Sequence, residues 1–440
     1  MYVTRIVLEN IRCFEHIELD LGANRNPSMW TILLGDNGVG KTTVLRSLAM
    51  GLVDSTSTGS LLRELYGEWI REQAGKVGEA TVHIEFDLKL EDGRSSYIKT
   101  SFKKMESGES KVEQQTLPDE FPWDDIFVCG YGAARRAYGS KDYSEYSPVD
   151  SVYTLFNYDS PLQNPELILR RIRDTGVNRK KEILAWVDKI LMLPKGATKL
   201  DIGGITVNGP WGKFMPLGAL GDGHQATLAW IVDMLGWAVF YDKTLLKDSI
   251  HEFSGIVLLD EIEHHLHPIW QKSIVRLLNK QFPKLQFITT THSPLCAIGT
   301  ASLLDEECGL FLLEQEDDRV IASRRSSPPR GQRADQVLTS YLFGLDTTRS
   351  EDSVGRIERF SKLLSKEKLT ENEQKELNAL RSELNNELGS GETQIQRLVE
   401  RAVHESLEKL LTALAQEKPP QEAIDFEIKR KLKDLFEKKI

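Results

Sequence analysis

The strongest chemical signal is the run Gly35-Asp36-Asn37-Gly38-Val39-Gly40-Lys41-Thr42-Thr43. It follows an apolar segment, Trp30 to Leu34, and precedes Val44 to Met50, so the local order is buried strand, glycine turn, helix. The glycines let the backbone take positive φ and approach a ligand with no Cβ in the way. The amides so exposed, together with the positive end of the following helix, suit phosphate oxygens. Lys41 is placed to reach β- and γ-phosphates, and the Thr42 hydroxyl to complete the shell of a magnesium ion. Far downstream, the aliphatic run Gly255 to Leu259 ends in Asp260-Glu261. A strand buried on both faces delivers such a pair to the carboxyl edge of a parallel sheet, where ligands bind in open α/β folds. Asp260 can then hold magnesium and Glu261 can polarise an attacking water.

Leu285 to Thr291 reads as one more strand, and it brings His292 to the same edge, within reach of a γ-phosphate or a water. Gly221-Asp222-Gly223-His224-Gln225 is a glycine turn opening a helix over Ala226 to Ala238, again an anion-compatible end. Ile126 to Gly130 is followed by Tyr131-Gly-Ala-Ala-Arg135-Arg136. Either those arginines are contacts to an anionic ligand such as nucleic acid, or the segment is a solvated turn. His264, His265 and His267 invite a metal reading, which is set aside: adjacent histidines cannot both turn to one ion from a helix, and no cysteine or carboxylate set completes a shell.

The 440 residues hold 56 basic and 66 acidic side chains, a net charge of -10, which removes bulk attraction to nucleic acid and leaves only a local basic groove as a route to it. Cys13, Cys129, Cys296 and Cys308 have no paired spacing, as expected of reduced thiols in a cytoplasmic protein. Met1 to Ile6 lacks signal-peptide character, and the apolar stretch Ala226 to Phe240 is interrupted by Asp233 and too short to span a bilayer. The expectation is a soluble, cytoplasmic chain with no membrane partner.

Several elements must position these residues. Val3 to Leu8, His16 to Leu21, Ala80 to Leu90 and Ser95 to Phe102 read as strands of an antiparallel sheet beside the phosphate loop, with Lys104 to Asp119 as loop. Residues 162–195 form a helical insert with a basic outer face. Phe311 to Asp318 is a closing strand and acidic turn. The head is expected over residues 1–325 and a helical region over 326–440. Val354 to Leu388 and Thr393 to Gln416 would form an antiparallel helical pair, followed by an amphipathic helix over Glu422 to Ile440, a candidate surface for dimerisation or partner docking.

The order of phosphate loop, glycine turn before a helix, apolar-Asp-Glu and a strand ending in Thr291-His292-Ser293 resembles the ATP-binding cassette ATPases. The opening Ile6-Val-Leu-Glu-Asn-Ile-Arg-Cys-Phe-Glu-His-Ile-Glu-Leu19 resembles their RecF, SMC and OLD-type branch. The resemblance implies an α/β P-loop ATPase head that binds ATP and Mg2+ and closes as a dimer, the signature turn of one subunit completing the site of the other. By it, Gly35 to Thr43 is similar to Walker A, Gly221 to Gln225 lies where the signature falls, Asp260 matches the magnesium aspartate and Glu261 the catalytic base. Ile262 to His267 resembles the D-loop, His292 the switch histidine, and Arg12 a residue near the nucleotide. Two departures stand out: Gly221 replaces the usual serine, which implies slower hydrolysis, and the strand that should end in a Q-loop glutamine ends in Tyr131-Gly132.

No long heptad run separates Walker A from the signature, unlike SMC proteins, and no later Asp-x-Asp follows Glu314, unlike OLD nucleases. The Tyr-Gly-Ala-Ala-Arg-Arg segment, the Asp-Glu-Ile-Glu-His-His-Leu-His-Pro form and Arg333 to Gly344 resemble the compact ATPases of prokaryotic anti-phage systems such as PtuA of Septu. That resemblance implies an ATPase switch, a homodimer or higher homo-oligomer, controlling a separately encoded effector such as an HNH nuclease. The alternatives are a RecF-like DNA repair ATPase and a nearly non-hydrolysing ATP-gated scaffold.

Overall fold

The computed structural model describes residues 1–23, 26–65, 68–71, 78–91, 93–105, 110–135, 143–174, 177–201, 204–209, 212–216, 219–242, 250–317, 319–325, 327–366 and 369–387. The chain opens with β1 (Val3–Ile11), β2 (Phe14–Asp20), a minimal hairpin of β3 (Gly22–Ala23) and β4 (Asn26–Pro27), β5 (Trp30–Gly35), α1 (Lys41–Gly51) and α2 (Ser55–Arg63). Three long strands follow, β6 (Glu79–Lys89), β7 (Ser95–Lys104) and β8 (Ser110–Leu117), then β9 (Val128–Tyr131), α3 (Pro148–Val152), α4 (Pro165–Asp174) and α5 (Val177–Ile190). After β10 (Thr198–Asp201), β11 (Gly204–Gly209) and β12 (Gly212–Pro216) come α6 (Asp222–Tyr241), β13 (Gly255–Leu259), α7 (Pro268–Gln281), β14 (Leu285–Thr290) and α8 (Pro294–Gly299). The first unit closes with β15 (Cys308–Glu316), β16 (Arg319–Arg325) and α9 (Ala334–Leu338).

The central sheet has the order β16-β15-β5-β14-β13-β9, with β15, β5, β14, β13 and β9 parallel and β16 turned back as an antiparallel edge. Its inner strands β5, β14 and β13, and β9 beside them, are buried along almost their whole length because both faces are covered. Along β13, Val257 and Leu259 enter one core with α6 and α7, while Ile256 and Leu258 enter the other with α1 and the antiparallel sheet. That second sheet, β2-β1-β6-β7-β8, is antiparallel throughout, and β1, β2 and β6 show the alternating burial of a one-sided sheet. The parallel strands bring the loops after β5, β13, β14 and β9 to one edge, which is why widely separated motifs meet there.

Several expectations change. Ser110 to Leu117, expected as loop, is β8: its polar residues sit on the sheet edge, where Gln114 donates to the Val53 carbonyl at 2.8 Å, so cross-strand pairing outweighs low apolar content. The hairpins β10 to β12 after the helical insert have no signal in the sequence, since their strands are short and carry few large apolar residues. Ile168, Leu169 and Ile172 of the insert bury in the core that also holds α6.

The first compact unit extends to Asp346, beyond the expected limit at 325, because Val337 and Leu342 bury in its core and Arg330 donates to the Leu303 carbonyl at 2.6 Å. The second unit begins at Thr347. Within it, α10 (Glu351–Leu364) and α11 (Glu371–Glu387) are two helices in place of the single one the spacing predicts over Val354 to Leu388, packed through Phe360, Leu363, Leu377 and Leu384. Thr370 breaks the run, capping α11 through mutual hydrogen bonds with Glu373. The helices expected over 393–416 and 422–440 lie outside the described residues. Among the described residues, no helix is long and apolar enough to cross a membrane.

Candidate nucleotide site

The phosphate loop is glycine-dependent at two points. Gly35 ends β5 at φ 138°, and a Cβ there would stand 2.3 Å from the Leu313 carbonyl oxygen. Gly40, the N-cap of α1 at φ 92°, would place a Cβ 2.5 Å from both Cys13 Sγ and Phe14 Cζ. The β1–β2 turn therefore presses on the loop and leaves room only for glycine. Lys41 is nearly buried; its Nζ donates to the carbonyls of Gly35 at 2.9 Å and Asp36 at 2.7 Å, inside the arch that phosphates would fill. Burial lowers its pKa, while Asp260, Glu261 and Asp36 oppose that shift.

Opposite the loop stands Asp260, 3% exposed at the end of β13. Its two carboxylate oxygens accept from Thr42 Oγ1 at 2.8 Å and from Thr290 Oγ1 at 2.6 Å. A hydroxyl and a carboxylate side by side form the all-oxygen donor set that magnesium prefers; Thr42 and Asp260 would occupy part of its octahedral shell, with phosphate and water oxygens filling the rest. Glu261 follows at φ 46°, its N–H donated to Thr290 Oγ1 at 2.7 Å and its carboxylate 3.3 Å from His264 Nδ1. Glu263 fixes the next strand end, accepting from Thr291 Oγ1 at 2.7 Å and from the His292 N–H at 2.5 Å. Arg12, Asn37, Gly38, Gly40, Lys41, Thr42, Thr43, Asp260, Glu261 and His292 line one open pocket of about 350 Å³. Thr290 and Glu263 are not among the expected site residues; for Thr290 the available signal is the buried threonine triplet 289–291 that ends and follows β14, since buried hydroxyls require partners.

The remaining candidates divide. Arg12, at φ 47° in the β1–β2 turn, lies at the pocket wall with its guanidinium 5.2 Å from the Trp69 ring centroid. Burial and the neighbouring Arg46 lower its pKa. Gly221 caps α6, which starts at Asp222, and Gly223 packs so closely on the turn after β13 that a Cβ would be 2.4 Å from the His265 carbonyl oxygen. His224 stacks edge-on against Trp270 at 4.5 Å, and Gln225 Nε2 donates to the Leu220 carbonyl at 2.6 Å. Gly221, Gly223, His224 and Gln225 do not line the pocket of their own chain. Arg135 is only 4% exposed and turns inward, so it is not a surface contact to nucleic acid; Arg136 lies outside the described residues. His264 and His265 meet edge-on at 4.0 Å, and among the described residues no group of three or more His, Cys, Asp or Glu is placed to hold a metal.

At the strand end where the resemblance implies a Q-loop glutamine, Tyr131 donates its hydroxyl to Asp233 Oδ2 at 2.9 Å, and the Gln163 N–H donates to Asp233 Oδ1 at 2.9 Å. This ties the end of β9 and the entry to the helical insert onto α6. Burial pushes the Asp233 carboxyl up to about 6 despite those donors. An unfolded aspartate titrates near 3.9, so between about pH 4 and 6 the folded chain keeps a proton that the unfolded chain releases, and this group's stabilising contribution is lost across that window. Replacing Asp233 with Asn should therefore raise stability relative to the parent progressively from pH 4 to 6, on the order of 2 kcal/mol, and hold that gain above pH 6. Thermal midpoints of both proteins at pH 4, 6 and 8 test this, and a pH-independent difference would refute it.

Comparison with known proteins agrees with the geometry. Residues 31–297, more than half of the chain, match the family described as "AAA domain, putative AbiEii toxin, Type IV TA system". The chain is 26% identical over 389 residues, 87% of its length, to the Septu protein PtuA of Bacillus mycoides (strain KBAB4), and spans 50% of that protein. It is 30% identical over 148 residues, 33% of its length and 27% of the relative's, to the Retron Vc95 probable ATPase of Vibrio cholerae. Among solved structures, the SMC head domain from Thermotoga maritima aligns with 74% of this chain and 100% of that one at 14% identity and a TM-score of 0.41. On the strength of the match over residues 31–297, whose span contains every residue lining the pocket except Arg12 and Cys13, the chain belongs to this AAA-domain ATPase family.

Proposed function

We propose that this chain is the ATP-binding and ATP-hydrolysing subunit of an anti-phage defence complex, and that two copies close around ATP to switch a separately encoded effector nuclease. The observation that carries the reading is the meeting of Lys41, Thr42, Asp260, Glu261 and His292 at one sheet edge, drawn from two strand ends and one helix start. The likeness to a Septu protein and to a retron ATPase supports the defence setting, and because the chain spans half of PtuA, that setting is itself part of the proposal. Lys41 and the loop amides hold the β- and γ-phosphates; Glu261 accepts the proton of the attacking water; His292, held at its backbone by Glu263, faces the γ-phosphate. Magnesium bound with ATP neutralises charge on the phosphates. Gly221 to Gln225 lies outside the chain's own pocket and would cap the γ-phosphate of a second copy.

Hydrogen exchange tests the closure. Amides of the peptide containing residues 221–225 should become protected in the Glu261→Gln variant with ATP and Mg2+ but not with ADP. Protection that is the same with either nucleotide overturns the sandwich. A second reading, an ATP-gated scaffold with negligible turnover, is favoured by Gly221, which brings no hydroxyl to the signature and makes no side-chain cap on α6. It predicts the same protection in the parent chain, with phosphate release at background.

A further inference from the structure

We propose that Arg135 is a positioning residue for hydrolysis, setting the backbone that aims Glu261. The inference rests on Glu261 being the base. Arg135 follows β9 and is buried beneath the end of β13, where one guanidinium nitrogen donates to two successive carbonyls, those of Asp260 and, at 2.8 Å, Glu261. Two consecutive carbonyls face the same donor because Glu261 sits at φ 46°, a left-handed conformation that a side-chain-bearing residue adopts only when its surroundings hold it there. On the other side of that peptide, Thr290 Oγ1 accepts the Glu261 N–H. The turn is thus gripped at both its N–H and its carbonyls, and releasing either would let φ relax and swing the carboxylate away from the pocket.

The arrangement is costly as pure structure. Among the described residues Arg135 has no direct carboxylate partner and its Nε is buried without a hydrogen-bond acceptor, and burial pushes its pKa down to about 10, which still leaves it cationic at neutral pH. Asp260, Glu263 and Glu261 offset part of that cost through space. Its guanidinium also lies 5.8 Å from the ring centroid of Trp230 on α6, the helix that begins at the signature turn. One cation therefore touches both the peptide that carries the base and the helix that would engage a second copy.

The test uses full-length chain carrying Arg135→Lys, Arg135→Met, Glu261→Gln and the Arg135→Met/Glu261→Gln pair. Turnover and the affinity for a fluorescent ATP analogue are measured in each. Arg135→Met should lower kcat about 10- to 100-fold with nucleotide affinity within threefold of the parent, and Arg135→Lys should recover part of that loss. The pair should turn over no more slowly than Glu261→Gln alone, because both changes remove one function. Additive losses, or parallel losses of affinity and turnover, mean a merely structural role and overturn the proposal. If Arg135→Met does not fold, Arg135→Lys decides: unchanged kcat refutes the positioning role. Should Glu261→Gln itself leave turnover intact, the assignment of the base fails first, and the Arg135 single variants show separately whether that residue matters.

Discussion

Glu261→Gln is expected to lower ATP turnover by about 10²- to 10⁴-fold, the range a general base supplies, while ATP still binds. Gln has nearly the same shape, so the backbone turn at φ 46° and its bond to Thr290 should persist. What is lost is the capacity to accept a proton. The nearest replacement, Glu263, is already engaged by the Thr291 hydroxyl and the His292 N–H, so it cannot substitute. Asp260 is equally committed, to Thr42 and Thr290. The measurement is steady-state phosphate release at saturating ATP and Mg2+, alongside nucleotide affinity. Turnover within tenfold of the parent would remove Glu261 from the catalytic role.

Lys41→Met should act on binding instead. Lys41 presents an ammonium inside the arch, and hydrogen bonds to charged groups contribute about 1.5–3 kcal/mol each. Losing its contacts to two phosphates should weaken ATP binding by at least about 100-fold. The same change relieves the desolvation of a nearly buried ammonium, so the nucleotide-free protein should be no less stable. Differential scanning fluorimetry reads both consequences: the variant's midpoint without nucleotide should equal or exceed the parent's, and the upward shift on adding Mg-ATP should vanish. A retained shift would mean that the loop amides alone bind phosphate. A large drop without nucleotide would mean that Lys41 serves the fold through its bonds to Gly35 and Asp36.

How much of this was readable from the chain varies with the distance between partners. The strand, glycine turn and helix around Lys41 were readable because φ at Gly35 and Gly40 and the start of α1 are local matters. The carboxylate pair after β13 was readable because an unbroken aliphatic run must be buried on both faces. Arg135 was not: the same Tyr-Gly-Ala-Ala-Arg segment fits a solvated turn or an anion contact, and only its docking under β13 shows that it faces carbonyls. Thr290 and Glu263 stayed hidden for the same reason, since a hydroxyl or carboxylate declares its role only through the atoms it meets. The edge strand β8 was missed because its pairing partner β7, not its own composition, makes it a strand.

By itself, then, the amino-acid order determined the phosphate loop, the acidic pair, the histidine strand end and the α/β class, since each depends on backbone freedom and hydrophobic pattern within a few residues. Tertiary structure alone decided that Thr42 meets Asp260 across 218 positions of chain, that Arg135 turns inward and that Tyr131 binds Asp233. Those pairings follow from strand order and register in the central sheet, and strand order is a choice among long-range contacts that no local stretch encodes.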